Sequence, residues 1–257
     1  MSGYAALVTG AARGIGRGIA LALAAEGFAV AVNDLAHDAE LEQTLGEARV
    51  RGVDAAPVIG DVSDLGVHAR LLDAAEAALG PLSTLVNNAG VGALRRGDLL
   101  DVTPASYDRC QAINARGMFF LSQAWARRVL ARERPAERHH SIINVTSSNA
   151  EAASISRGEY CVSKAAAAMV AKLFAVRLAP FGIGCYAIQP GLIETALTAP
   201  VLAEYRRRIA EQGLTLVPDV GQPGDIGSIA AALATGRLAF CTGQVLHADG
   251  GLLLPHY

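Results

Sequence analysis

Little in this sequence would gather a polyanion or a membrane. Its 22 basic and 24 acidic residues leave a net charge of −2, which supplies no field for nucleic acid or an anionic lipid surface. Small, uncharged partners are the expectation. Cysteine is sparse: Cys110, Cys161, Cys185 and Cys241 stand far apart without a C-x-x-C pair. That spacing reads as neither a zinc site nor a disulfide framework, and reduced thiols in the cytoplasm fit it best. The six histidines show no metal-ligand spacing with carboxylates, so no metal is expected. The longest uncharged runs, 79–94 and 178–193, are broken by Gly, Pro and Asn, and no basic-then-apolar leader precedes the first strand-like run; neither a membrane span nor an export signal is expected. Fixed-period repeats and low-complexity stretches are missing too.

What is present is alternation. Apolar strand-like runs lie at 4–9, 28–33, 54–59, 83–87, 141–146, 183–188 and 243–248. Between them, alanine- and leucine-rich stretches near 14–26, 38–50, 64–79, 104–131, 158–179 and 225–234 are long enough for crossover helices. Strand then helix, repeated, implies a doubly wound α/β fold: a seven-stranded parallel sheet with helices on both faces, in one domain over 1–257. The segment at about 191–222 reads as a loop and helix able to close as a lid, and residues 91–97, 149–157 and 192–220 are expected to set which substrate is accepted. The charge-rich stretch RRVLARERPAERHH (127–140) is interrupted by Glu133 and Glu137 and ended by Pro135; it reads as a solvated helix end, and no function is assigned to its 132–140 portion.

In such a sheet ligands sit beyond the carboxyl ends of the strands. There the sequence places VTGAARGIGRGIA (8–20). Gly10 suits the tight turn, Gly14 and Gly16 let a pyrophosphate approach the backbone, and the helix that follows offers amide donors. Asp34, after the second strand, is placed to accept hydrogen bonds from the adenosine ribose and to repel a 2′-phosphate, which favours NAD over NADP. Arg13 pulls the other way by attracting that phosphate. Tyr160 and Lys164, four residues apart, fall on one helical face, where a lysine ammonium would stabilise a phenolate for proton transfer. Ser147 and Asn87-Asn88-Ala89-Gly90 reach the same rim. Glu151, Arg157 and Glu159 hint at polar recognition or simply lie on the surface.

With TGAARGIG (9–16), GDV (60–62), NNAG (87–90), IN (113–114), YCVSK (160–164), PGLIET (190–195) and TGQVLHADGG (242–251) in this order, essentially the whole chain resembles the short-chain dehydrogenase/reductase family. The resemblance implies hydride transfer between a nicotinamide cofactor and a secondary alcohol or ketone, with a polyol, a sugar or a hydroxy acid as substrate. It implies that Ser147 holds the substrate oxygen, that Tyr160 is the general acid/base, and that Lys164 bonds the nicotinamide ribose and lowers the tyrosine pKa. It assigns Asn114 a water that relays protons to Lys164. Thr146 and Ser148 flank Ser147, and only the motif position selects among the three. Cofactor contacts are implied for Gly10, Arg13, Gly14, Ile15, Gly16, Asp34, Asp61, Val62, Asn88, Ala89, Gly90, Pro190, Gly191, Ile193 and Thr195, besides Tyr160 and Lys164. A homotetramer is implied as well. Two alternatives stay open. One is a 3-oxoacyl-acyl-carrier-protein reductase, against which stands Phe181 where such reductases often carry an arginine. The other is a dinucleotide-binding sensor without turnover, which would be expected to have lost Ser147, Tyr160 or Lys164.

Overall fold

The computed structural model describes residues 3–135 and 137–255. Its strands are β1 (Ala5–Thr9), β2 (Ala29–Asp34), β3 (Ala55–Ile59), β4 (Thr84–Asn87), β5 (His140–Val145), β6 (Ile183–Pro190) and β7 (Val245–Ala248). They form one sheet in the order β3-β2-β1-β4-β5-β6-β7, every neighbouring pair parallel. The strand order reverses at β1, between β2 and β4, which opens a crevice at the carboxyl ends of β1 and β4.

Why the sheet is covered on both faces follows from the period of two along each strand. Ala6 and Val8 of β1, Val30 and Val32 of β2, Ile143 of β5 and Ile188 of β6 pack on one side against α1 (Gly14–Ala25), α2 (Ala39–Val50) and α8 (Pro223–Ala234). Ala5 and Leu7, Ala31, Ile142 and Cys185 pack on the other, against α3 (His68–Leu79), α5 (Met118–Leu130) and α6 (Gly158–Leu178). Trp125 of α5 and Leu71 and Leu72 of α3 fill that second layer. With both faces apolar, the strands are near-continuous hydrophobic runs, as buried parallel strands must be.

The expected helix over 104–131 is built in three pieces: α4 (Pro104–Gln111), a π-helical turn at Ala112–Gly117, and α5. The wider turn coincides with Asn114, whose side chain bonds outside the helix. α7 (Leu202–Gln212) lies within the expected lid. The basic stretch after α5 is structural: Arg132 bonds Glu76 of α3 at 2.6 Å and also donates to the Leu82 carbonyl. Among the described residues no helix is long and apolar enough to cross a membrane.

Candidate active site

The cleft at the carboxyl ends of β1 and β4 begins at the glycine-rich turn. Gly10 takes φ +61°, a left-handed conformation that side chains disfavour. A Cβ on Gly16 would run into the Gly10 carbonyl and come within 2.5 Å of Asn88 Nδ2 and 2.9 Å of Ala11 Cα. Backbone cannot yield there, so α1 starts hard against β1 only because position 16 is glycine. Thr9 fastens the turn to the next strand: its Oγ1 accepts from the Asn88 and Ala89 amides, both at 3.0 Å. Asn88 Nδ2 donates to the carbonyls of Thr9 (2.8 Å) and Gly10 (2.9 Å), so its amide braces the loop.

Asp34, at the end of β2, accepts from the Ala12 amide at 3.0 Å and from the Leu35 amide at 2.9 Å. Two backbone donors fix the carboxylate beside the turn and leave it further acceptor capacity. Arg13 is turned away into an ion pair with Glu40 of α2. Hydrogen bonding and charge from Glu40, with weaker pulls from Asp34 and Asp38, raise its pKa. At that end of the cleft Asp34 keeps its carboxylate while the nearest cation, Arg13, is paired with Glu40.

At the other end stand Ser147, Tyr160 and Lys164. β5 stops at Val145, and Ser147 is an extended residue (φ −172°) capping a short turn, with Oγ accepting from the Asn149 amide at 3.1 Å. Ser147 stands near enough to Tyr160 for its hydroxyl to favour the phenolate. Lys164, one turn along α6, donates to the Val145 carbonyl at 3.1 Å and holds Nζ 5.8 Å from the Tyr160 ring centroid. Burial is the dominant influence on both ionisable groups: it raises the Tyr160 phenol above its usual value, against the opposing Ser147 hydroxyl and Arg157 charge, and pulls Lys164 down to about 8. Each is poised nearer neutrality in charge than it would be in water.

Asn114 does not line the cleft. It lies fully buried behind it, Oδ1 accepting from the Val91 amide (2.8 Å) and Nδ2 donating to the Val91 carbonyl (2.9 Å) and to Ser163 Oγ (2.9 Å). Its side-chain donors are consumed by these bonds. A Cβ on Gly90 would sit 3.3 Å from both Asn114 Oδ1 and Lys164 Nζ, so glycine there keeps the two side chains in register across the loop.

The cleft measures about 1670 Å³, and its walls include Ser147 and each of the residues for which cofactor contacts are expected, a volume ample for a dinucleotide and a small second ligand. The segment after β6 closes over it: Thr195 Cγ2 is 3.5 Å from where a Cβ on Gly14 would stand, and Ile193 is buried and bridged to Gly221. Gly191 passes so near Asp249 that a Cβ would fall 2.6 Å from its Cα. Glu159 is buried and accepts from Ser106 Oγ at 2.6 Å, which makes it a brace between α4 and α6. Sequence reasoning gave no role to Thr9 and Ser163, hydroxyls within the TGAARGIG and YCVSK motifs, and it placed Arg96 and Tyr205 in substrate-setting segments without singling them out. No group of three or more His, Cys, Asp or Glu that could hold a metal occurs among the described residues.

A parallel sheet of this order, a glycine turn under its switch point and a Ser-Tyr-Lys cluster at the rim define a class. The chain belongs to the short-chain dehydrogenase/reductase family and is an oxidoreductase of that type. The family model described as Enoyl-(Acyl carrier protein) reductase matches residues 10–253. Among particular relatives, a crystal structure of 3-oxoacyl-[acyl-carrier protein] reductase from Brucella melitensis in complex with NAD superposes with a TM-score of 0.94 at 38% identity, covering 99% of this chain and 98% of that one. The L-rhamnose-1-dehydrogenase of Scheffersomyces stipitis is 32% identical over 257 residues, 99% of this chain and 97% of its own. A dehydrogenase structure from Agrobacterium tumefaciens with bound NADP is 30% identical with a TM-score of 0.87, covering 99% of this chain and 98% of that one.

Proposed function

We propose that this protein is a nicotinamide-dependent dehydrogenase or reductase that favours NAD and interconverts a secondary alcohol and its ketone. The observation that carries the reading is the meeting of Ser147, Tyr160 and Lys164 at one end of a cleft whose other end is the glycine turn. The residues present fit a dinucleotide. The turn is stripped of side-chain bulk where a Cβ at Gly16 would strike backbone, and α1 presents its amino end there. Gly10, Gly14, Ile15 and Gly16 would hold the pyrophosphate. Asp34 would hold the adenosine ribose, Asp61 and Val62 the adenine, and Asn88, Ala89 and Gly90 the neighbourhood of the second ribose. Pro190, Gly191, Ile193 and Thr195 would hold the nicotinamide end. When bound, that group supplies the acceptor or donor of a hydride.

The chain's own part is proton management. Ser147 Oγ orients the substrate oxygen beside the Tyr160 hydroxyl, which gives its proton to a forming alcohol or removes one from an alcohol being oxidised. Lys164 keeps a positive charge near the Tyr160 ring and so favours the phenolate. Asn114, its amide consumed by Val91 and Ser163, fixes the π-helical turn beside Lys164, so any water relay there uses its backbone. The preference for NAD rests on Asp34 held by two amides while Arg13 is engaged by Glu40, which sets the Asp34 carboxylate against a 2′-phosphate.

A second reading, a 3-oxoacyl-acyl-carrier-protein reductase, has one observation in its favour. Arg177 lies over the Phe181 ring at 5.1 Å and Arg134 donates to the Phe181 carbonyl at 2.6 Å, so cations flank the position that lacks an arginine. We further propose one catalytic domain with a closing segment at about 191–222, in a cytoplasmic homotetramer. The exposed apolar row Val162, Met169, Leu173 and Val176 on α6 supports the assembly, and four free cysteines support the compartment. The test is NAD- and NADP-linked turnover across polyols, sugars, hydroxy acids and a carrier-protein thioester. Turnover of the thioester alone would favour the second reading, and cofactor binding without turnover of anything would favour a sensor.

A further inference from the structure

The substrate end of the cleft carries positive charge that the dinucleotide does not use. Arg96 stands in the loop after β4, Arg157 in the turn before α6 and Tyr205 on α7, and all three line the cleft. The Arg157 guanidinium carbon is 5.6 Å from the Tyr160 ring centroid, so its charge lies over the proton-transfer residue. Tyr205 lies within electrostatic reach of both guanidinium groups. Burial pushes its pKa up, but hydrogen bonding to Arg96 and the charges of both arginines outweigh that and hold it below the ordinary tyrosine value. Three elements thus bring polar side chains to one part of the cleft.

Among the described residues no ion pair answers that charge; the buried Glu159 bonds Ser106 and leaves its second oxygen unpartnered. Among the described residues neither Arg96 nor Arg157 forms a salt bridge, and Arg157 Nε is buried without a hydrogen-bond partner. The acidic residues of the same wall are already engaged: Glu204 with Arg207 at 2.7 Å and Glu194 with Arg206 at 2.8 Å. Two guanidinium groups in one part of a cleft with no anion paired to either repel each other, and a buried donor left unpaired costs stability. The arrangement is completed by an anion from outside.

We propose that Arg96, Arg157 and Tyr205 form the subsite for a carboxylate carried by the substrate, making that substrate a hydroxy or oxo acid and not a neutral polyol. The inference rests on the dehydrogenase reading and narrows it. A guanidinium matches the two oxygens of a carboxylate with parallel N–H donors, and the tyrosine hydroxyl adds a third. Charge selects a carboxylate over a phosphate ester. Arg157 helps to hold the Tyr160 pKa down; one negative charge against two arginines preserves that help, whereas a dianion would cancel it.

The test titrates the NADH-bound protein with matched pairs, 3-hydroxybutyrate against 3-hydroxybutanamide and gluconate against sorbitol, following nicotinamide fluorescence, and runs the same pairs with NAD in steady state. At least one acid should bind about tenfold or more tighter than its neutral partner. Arg96→Gln should remove that advantage while leaving the affinity for the neutral partner and for NADH unchanged. Arg157→Gln should do the same and also shift the kcat/KM profile to higher pH, a shift that Arg157→Lys should largely reverse. Equal binding within every pair, equal loss for both members in Arg96→Gln, no response to any acid, or tighter binding of glycerol 3-phosphate than of the acids would each overturn the proposal. Fluorescence that responds to acids without hydride transfer from any compound would instead refute the dehydrogenase reading and leave the anion subsite standing. Equal turnover of acids and neutral partners would do the reverse.

Discussion

A Lys164→Met substitution should make the dinucleotide-free protein more stable near neutral pH while abolishing its activity. Lys164 is only 4% exposed, and its sole polar contact within the described residues is the Val145 carbonyl at 3.1 Å. Burial lowers its pKa from 10.5 to about 8. Between those values the unfolded chain binds the proton more tightly than the folded one, so wild-type stability rises as pH increases through that window. At about pH 7 the ionised side chain therefore costs on the order of 3 kcal/mol, and at about pH 10, where the folded amine is neutral, roughly 1 kcal/mol. Methionine avoids the cost and forfeits one hydrogen bond of about 1 kcal/mol. The net gain near pH 7 is about 2 kcal/mol, or roughly 4–8 °C in Tm for a chain of this size. Paired thermal melts at the two pH values read it directly. A variant that melts below wild type at neutral pH, or a gap indifferent to pH, would refute the reasoning that an active-site charge is being held at the expense of stability.

Three further outcomes follow from the same structure. Wild type should favour NAD over NADP by about tenfold or more in kcat/KM, and Asp34→Arg should narrow or reverse that ratio; a wild type that prefers NADP would show that Arg13 escapes Glu40. Gly16→Ala should destabilise the protein by about 1–3 kcal/mol and abolish NADH binding, because its Cβ meets backbone that cannot move; ordinary NADH affinity in a denaturant-stable variant would contradict the packing. His140 is buried, its pKa lowered to about 4 chiefly by burial with Arg134, Arg132 and Arg138 adding to the effect. The unfolded chain takes up that proton first, so stability should fall by on the order of 3 kcal/mol as pH drops from about 6.5 to 4, and His140→Asn should flatten that part of a denaturant-midpoint profile.

Much of the site was legible because its signals are backbone rules. Gly10 and Gly16 announce a left-handed turn and a close approach, and Tyr160 and Lys164 meet because four residues make about one helical turn. The seven strands were legible for the same reason, as apolar runs spaced by helix-length segments, and their ends moved by only a few residues. What escaped notice depends on tertiary approach. The sequence places Arg96 and Tyr205 in segments expected to set the substrate, but only the fold brings the loop after β4 and the helix α7 to one wall with Arg157. The expectation of uncharged partners came from a net charge of −2, yet net charge averages over a surface, and the cleft gathers Arg96 and Arg157, neither in an ion pair among the described residues, at its substrate end. Asn114 illustrates the same limit: its motif position is plain, but only the fold reveals that Val91 and Ser163 consume its side chain.

The measurement that bears most directly on the account is Tyr160→Phe, assayed in parallel for NADH affinity by fluorescence titration and for turnover of an accepted alcohol. Phenylalanine keeps the ring beside Lys164 and Arg157 and removes only the hydroxyl. NADH should bind within about twofold of wild type while kcat falls by at least about a hundredfold, the range of a general acid/base group. Retention of a tenth of wild-type kcat would contradict the assignment of proton transfer to Tyr160, and with it the reading of this cleft.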